Sequence, residues 1–275
     1  MSQVEVVHWN PYRRRFHGRM SKHLPIRQRV SNFGDLLGPL LVERILHNAG
    51  FDSGVGDGEA RRILTVGSIM HLARTGDVIW GTGVNGKKSP DAHHFHDLDV
   101  RAVRGPLTRE YLMQRGINVP EIFGDPALLL PKFYPELEQW RSEPMRDILV
   151  VPNLNDWPLT WERCDIGIDI EILKPTSPVM ECLEAICRSR FVVGSSLHAI
   201  IVAESVGIGA RVVRSRAEPL FKYQDYYYGT NRTGFKEASS LREAISLGAE
   251  PPVIADLGAL LDAFPFDLWH VNRTI

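Results

Sequence analysis

The chain has 275 residues, 44% hydrophobic and 24% charged, a globular composition that excludes a disordered, collagen-like or coiled-coil chain. Thirty-two Lys and Arg against 33 Asp and Glu leave a formal charge of -1, so the molecule as a whole is not a nucleic-acid-binding surface. Its cysteines, Cys164, Cys182 and Cys187, are odd in number and lack Cys-x-x-Cys spacing, which argues against a disulfide framework or zinc site and for a reducing compartment.

No apolar run is long enough to span a bilayer, and the N-terminus lacks the apolar core of a signal peptide, so the expected location is the cytoplasm. One local charge excess stands out. Residues 1–30 hold Arg13, Arg14, Arg15, Arg19, Lys22, Arg27 and Arg29 against Glu5 alone, a net of +6. That segment either meets an anionic partner or is a solvated basic loop.

Short apolar runs alternate with amphipathic stretches throughout, the pattern of α/β units on a mostly parallel sheet. Strands are predicted at 4–8, 63–66, 78–80, 100–103, 148–151, 166–168, 191–193 and 211–213. Between them, 35–48 repeats Leu36, Leu37, Leu40, Leu41 and Ile45 at helical spacing and stops at Gly50. Pro106 and Gly116 bracket a second helix over 107–115, and further helices are predicted at 179–188, 197–206, 236–247 and 254–264. The segment 131–145 holds three prolines and clustered charge without a period, and reads as a linker. The expected architecture is therefore two Rossmann-like α/β lobes, 1–140 and 141–275, with the final helix packing back on the first lobe. Ligands of such folds bind at the carboxyl ends of strands, here in the cleft between lobes.

Gly81-Thr82-Gly83-Val84-Asn85-Gly86 fits the dinucleotide fingerprint after an apolar run, but the context does not. The fingerprint needs an apolar helix next, whereas Lys87-Lys88-Ser89-Pro90 is polar and broken by proline. What remains is a glycine loop able to approach a ligand closely. His93, His94 and His96 lie beside Asp91 and Asp97 without the spacing of a metal site, so no metal is expected, and they read as ligand-facing side chains or a plain surface loop.

Residues 191–205 are the most informative. A β-branched strand runs into Gly194-Ser195-Ser196 and then a helix, whose free N–H groups and serine hydroxyls suit a phosphate or carboxylate. His198 falls in its first turn, either aimed at that anion or a satisfied polar residue beside a simple cap. Arg104, before Gly105-Pro106, is placed to grip an anion bidentately, while Arg101 does the same or pairs with Asp99. Asp125, in Gly124-Asp125-Pro126-Ala127, either orients the arginine or caps a helix.

Five motifs together resemble the polysaccharide pyruvyl transferase family, nearest to its exopolysaccharide ketal-pyruvate transferases: Asn32-Phe-Gly34-Asp35, Trp80-Gly-Thr-Gly83, Arg104-Gly-Pro-Leu-Thr108, Gly124-Asp-Pro-Ala127 and Ser195-Ser-Leu-His198. The resemblance implies a fold similar to B-type glycosyltransferases and transfer of pyruvate from phosphoenolpyruvate onto saccharide hydroxyls as a ketal. Phosphoenolpyruvate would be a co-substrate, with no resident cofactor. The acceptor would be a saccharide, lipid-linked at the inner membrane face, giving the basic N-terminal segment an anionic surface to touch. On this reading the C-terminal lobe binds the donor, held by Arg104, Arg101, Gly194, Ser195, Ser196, Leu197 and the Gly81-Thr82-Gly83 loop. Asn32, His94 and Asp125 would meet the acceptor. His198 would act as proton donor or phosphate partner and Asp35 or Glu204 as base, although Glu204, six residues on, shares a helix face with His198 poorly. Trp9, Trp157, Trp161 and Tyr226-Tyr227-Tyr228 are either sugar-stacking or core residues. One departure matters: Ser196 stands where many members have an arginine. The alternatives are a glycosyltransferase with a nucleotide-sugar donor and a catalytically silent saccharide-binding homologue.

Overall fold

A computed structural model describes residues 4–14, 27–56, 61–157 and 170–271. Its strands in chain order are β1 (Glu5–Val7), β2 (Tyr12–Arg14), β3 (Arg27–Arg29), β4 (Phe51–Gly56), β5 (Arg62–Leu64) and β6 (Val78–Trp80). There follow β7 (Asp99–Ala102), β8 (Arg146–Val150), β9 (Ile170–Ile172), β10 (Ser189–Gly194), β11 (Gly209–Val212) and β12 (Trp269–Val271). Two four-stranded sheets result, ordered β1-β5-β6-β7 and β11-β10-β8-β9, every pair in them parallel. The fold is therefore α/β with two Rossmann-like halves. Parallel strands are covered on both faces, which is why Val78, Ile79 and Trp80 are all buried and read as a continuous apolar run rather than an alternation.

The helices are α1 (Phe33–Asn48), α2 (Pro106–Met113), α3 (Leu130–Phe133), α4 (Glu136–Ser142), α5 (Val179–Cys187) and α6 (Leu197–Ser205). α7 (Phe221–Gly229), α8 (Leu241–Leu247) and α9 (Leu257–Asp262) follow among the described residues. α6 buries Leu197 and the whole run Ala199–Ala203, so it is apolar nearly all round, the mark of a helix enclosed by protein. It lies in the largest buried cluster, which joins Leu37 and Leu41 of α1, Leu128–Leu130 and Tyr223, Tyr226 and Tyr227 of α7.

Several expectations are corrected. The segment read as a linker folds into α3 and α4, with Pro131 in the first turn of α3 and Pro135 capping α4, positions where proline starts helices. Its Leu137 is buried and its Tyr134 hydroxyl donates to the Leu40 carbonyl at 3.0 Å. α7 is absent from the sequence prediction because its buried face consists of tyrosines, of which Tyr223 donates to the Ser195 carbonyl and Tyr226 to Glu204. Helices α8 and α9 begin later than predicted, where Ser240 and Asp256 accept from Glu243 N and Ala259 N. The strand predicted at 166–168 lies outside the described residues, as do Arg15, Arg19, Lys22, Trp161 and Cys164.

Several contacts join the halves among the described residues. The buried guanidinium of Arg104 meets the buried Asp225 carboxylate of α7. The Trp80 indole donates to the Leu260 carbonyl at 2.8 Å, and β12 pairs antiparallel with β4. Among the described residues no helix is long and apolar enough to cross a membrane.

Candidate active site

A cavity of about 320 Å³ opens where strand ends of the two sheets face each other. Ser68 and Ile69 follow β5, Asn85, Lys87 and Lys88 follow β6, Asn153–Asn155 follow β8, Ser196–His198 follow β10, and Glu218 and Lys222 follow β11. Trp9, Asn32, Asp35 and His71 complete the lining. The site thus sits at the carboxyl ends of both sheets, where such folds bind ligands.

The turn from β10 into α6 is fixed by backbone. Gly194 has φ of +146°, and a Cβ there would lie 2.2 Å from the Val151 carbonyl oxygen, so only glycine fits. Ser195 Oγ accepts from Asn153 N and Nδ2 at 3.1 and 3.2 Å, tying the ends of β8 and β10 together below the cavity. Ser196 is the N-cap of α6, accepting from Ala199 N at 3.4 Å, and the first turn of α6 opens on the cavity.

His198 stands in that turn with its ring against the backbone of α1. A Cβ on Gly34 would sit 2.1 Å from His198 Nδ1, so glycine here is the space the imidazole occupies. Its Nε2 is buried without a hydrogen-bond partner, 3.6 Å from where a Cβ of Gly67 would be, and Asp35 Oδ1 is 3.8 Å from the same point. The two side chains therefore converge on one spot. Burial, with the charges of Lys222 and Arg104, lowers His198 to about 3, whereas burial raises Asp35 to about 6 against the opposing bond from Asn32. Asn32 Nδ2 donates to Asp35 Oδ2 at 2.7 Å and holds the carboxylate in place.

The remaining sequence candidates lie elsewhere. Arg104 is behind the cavity wall, not in it: it is fully buried, its Nε donating to Asp225 Oδ2 at 3.0 Å, Nη2 to the Val84 carbonyl at 2.7 Å and Nη1 to Ser68 Oγ at 2.5 Å. Its hydrogen bond to Ser68 and its charge on His198 carry its influence to the lining. Arg101 forms ion pairs with Asp99 and Asp267 at the surface, the outcome expected of an exposed charge. Glu204 is bound to Arg232 Nη1 and Nη2 at 2.6 and 2.9 Å and accepts from the Tyr226 hydroxyl, away from the cavity. Asp125 is fully buried, caps the 126–129 turn through Ala127 N at 3.0 Å, and is raised by burial to about 6. His94 is exposed and outside the lining, while His93 is buried against Tyr111, whose hydroxyl lies 2.8 Å from Nδ1. Among the described residues no three His, Cys, Asp or Glu are grouped to hold a metal ion. Gly81 packs on Pro126, Thr82 Oγ1 donates to the Gly67 carbonyl, and Gly83 packs on Arg104, so this loop backs the site without lining it. Tyr226 and Tyr227 are core residues.

Sequence reasoning passed over Lys87, Lys88, Lys222, Glu218, Asn85, Asn153, Asn155, Ser68 and His71. In the sequence, Lys87 and Lys88 count only against a nucleotide fingerprint. The usable signal was position, since each of these residues follows a predicted strand end or, for Lys222, opens the helix after one.

The profile of the polysaccharide pyruvyl transferase family matches residues 32–215, from the cap of α1 through the loop after β11 and so across both walls of the cavity. The chain belongs to the polysaccharide pyruvyl transferase family. It is 30% identical over 190 residues to an uncharacterized protein of Acanthamoeba polyphaga mimivirus, a match covering 64% of this chain and 63% of that protein's length. A crystal structure of a functionally uncharacterized Klebsiella pneumoniae protein is similar at 12% identity with a TM-score of 0.43, over 87% of this chain and 92% of that one. For this pyruvyl transferase family member, the matched region contains Asn32, Asp35, Ser196, Leu197 and His198, five of the six sequence candidates that line the cavity, and Trp9 lies before it.

Proposed function

We propose that the protein transfers pyruvate from phosphoenolpyruvate onto two hydroxyls of a saccharide, forming a ketal for a cell-surface glycan and releasing phosphate. Family membership supports transfer to a saccharide. The observation that carries the donor assignment is the opening turn of α6, Ser196 to His198, facing Lys87, Lys88 and Lys222 in one cavity. A carboxylate and a phosphate on three carbons need concentrated positive charge at a preorganised site, and a helix N-terminus with three lysines supplies it. Those lysines also answer the departure at Ser196, since charge lost with the arginine is present on the opposite loops.

The chemistry adds a proton to C3 of the enol as a sugar hydroxyl attacks C2, then expels phosphate, after which a second hydroxyl closes the ring. Asp35, raised to about 6, exchanges a proton close to neutrality and is the stronger base of the two, whereas His198, lowered to about 3, stays neutral. Asp35 in its protonated form donates to C3, and the carboxylate so formed takes the proton of the attacking hydroxyl. His198 Nε2, buried without a partner, is the neutral imidazole beside the donor. Trp9 and Asn32, also in the lining, are placed for the acceptor. A lipid-linked acceptor would bring Arg27 and Arg29 of β3 near an anionic surface.

Thermal unfolding tests the donor: phosphoenolpyruvate raises Tm and nucleotide sugars do not. The reverse result points to glycosyl transfer, and no response to either points to a silent homologue.

A further inference from the structure

We infer that Glu218 is a built-in counter-anion occupying the phosphate subsite of the cavity, and that Lys87 and Lys222 are the cations a phosphate dianion takes from it. The inference rests on the donor reading for the identity of the natural ligand and on geometry for the subsite. Glu218 Oε2 lies 3.2 Å from Lys222 Nζ, while Oε1 pairs with Lys87 Nζ and accepts from Asn155 Nδ2 at 2.9 Å. All four groups line the cavity. The side chains of Glu218 and Lys222 are 9% and 11% exposed, so this is a largely desolvated pair, whereas Lys87 reaches it from the other half of the fold at 34%.

The loops that carry these charges are held together independently of the ion pairs. Gly86, with φ of +72°, packs so closely on Pro219 and Phe221 that a Cβ would lie 2.8 Å from the Phe221 Cβ. Lys87 and Glu218 are thus kept face to face by the packing of Gly86 on the Pro219 and Phe221 side chains. A carboxylate between two lysines presents two oxygens to them, as two oxygens of a phosphate would. Burial pushes Lys222 below its ordinary value while Glu218 opposes that, and burial pushes Glu218 up while Lys222, Lys87 and Asn155 more than reverse it. The lysines and Asn155 thus keep Glu218 ionised. A phosphate monoester carries nearly twice the charge of a carboxylate and three strong acceptors, so it displaces Glu218 where a monoanion does not.

Glu218→Gln keeps the size and the Asn155 bond while removing the competing charge. Binding of inorganic phosphate and of phosphoenolpyruvate is measured by calorimetry on the wild type, Glu218→Gln, Lys87→Gln and the remote control Glu121→Gln, which removes an exposed carboxylate paired with Arg109. The expected result is that Glu218→Gln binds phosphate about tenfold more tightly, Lys87→Gln binds it more weakly, and the control is unchanged. Phosphate affinity that is unchanged or weaker in Glu218→Gln overturns the inference, as does an equal gain in Glu121→Gln or an unaltered Lys87→Gln. If phosphate follows the expected order while phosphoenolpyruvate does not bind any of the four proteins, the subsite stands and the donor reading fails.

Discussion

The Arg104 guanidinium and the Asp225 carboxylate, 121 residues apart, form a fully buried ion pair that joins the halves of the molecule. Asp225 accepts from Arg104 Nε and from Thr108 N and Oγ1, at 2.7 to 3.0 Å, so both carboxylate oxygens are satisfied, and Arg104 Nη2 lies 2.9 Å from Oδ2. Removing one member leaves a buried charge uncompensated, a loss of about 3–5 kcal/mol. Asp225→Ala is expected to lower the unfolding free energy measured in urea by that amount and to loosen Ser68, which bonds to the same guanidinium. An unfolding free energy within about 1 kcal/mol of wild type would show that the pair contributes no more than an exposed one.

Gly34→Ala separates site geometry from stability. Gly34 lies in the first turn of α1 with no positive φ, so alanine fits the helical backbone and favours it by up to about 1 kcal/mol. Its methyl group would meet the imidazole of His198. The expected result is a loss of about 1–3 kcal/mol of unfolding free energy, which leaves the chain folded, together with loss of phosphate release from phosphoenolpyruvate by at least about tenfold. Equal activity would mean that the ring position does not matter to the reaction.

The two-sheet architecture was readable because buried parallel strands announce themselves as unbroken apolar runs, as Val78–Trp80 and Ile148–Val151 do. The α6 start was readable because Gly194-Ser195-Ser196 punctuates such a run. Spacing along one element could not reveal Lys222, whose function depends on Glu218 and on Lys87 from the other sheet. Arg104 illustrates the opposite error: an arginine at a strand end looks like a ligand grip until its carboxylate, on a helix disguised by tyrosines, is located. Charge type was legible in both cases, but the partner that decides its role lies far away in sequence.

Stability against pH tests the paired environments of Asp35 and His198. Asp35, raised from 3.8 to about 6, binds its proton more tightly in the fold, so it favours folding as pH falls through about 6 and costs stability above it. His198, lowered from 6.5 to about 3, does the reverse: the unfolded chain takes the proton first, and stability is lost as pH falls from about 6.5 toward 3. The slopes oppose each other between pH of about 4 and 6. Asp35→Asn is therefore expected to be more stable than wild type at neutral pH, by roughly 1–2 kcal/mol after allowing for the solvent that reaches a cavity-lining carboxylate. It should then lose stability more steeply on acidification. His198→Gln should show the opposite trend and hold its stability as pH falls. Parallel curves for the three proteins, measured by urea unfolding across the range, would remove the two residues as an opposed pair.

Glu204 supplies the test that distinguishes a structural carboxylate from a catalytic one. With Glu204 and Arg232 side chains 6% and 4% exposed, the pair is desolvated, and the Tyr226 hydroxyl adds a third bond. Glu204→Gln leaves Arg232 without its counter-charge and should destabilise the fold by about 3–5 kcal/mol. Because the carboxylate is engaged away from the cavity, turnover per folded molecule, measured well below the variant's Tm with phosphoenolpyruvate and acceptor, should stay near that of wild type. Replacing both partners, Glu204→Leu with Arg232→Met, should recover much of the lost stability, since an apolar pair carries no desolvation penalty. A turnover loss of about a hundredfold or more in fully folded Glu204→Gln, the scale of a missing general base, would return Glu204 to the reaction and require the Arg232 pair to open during catalysis.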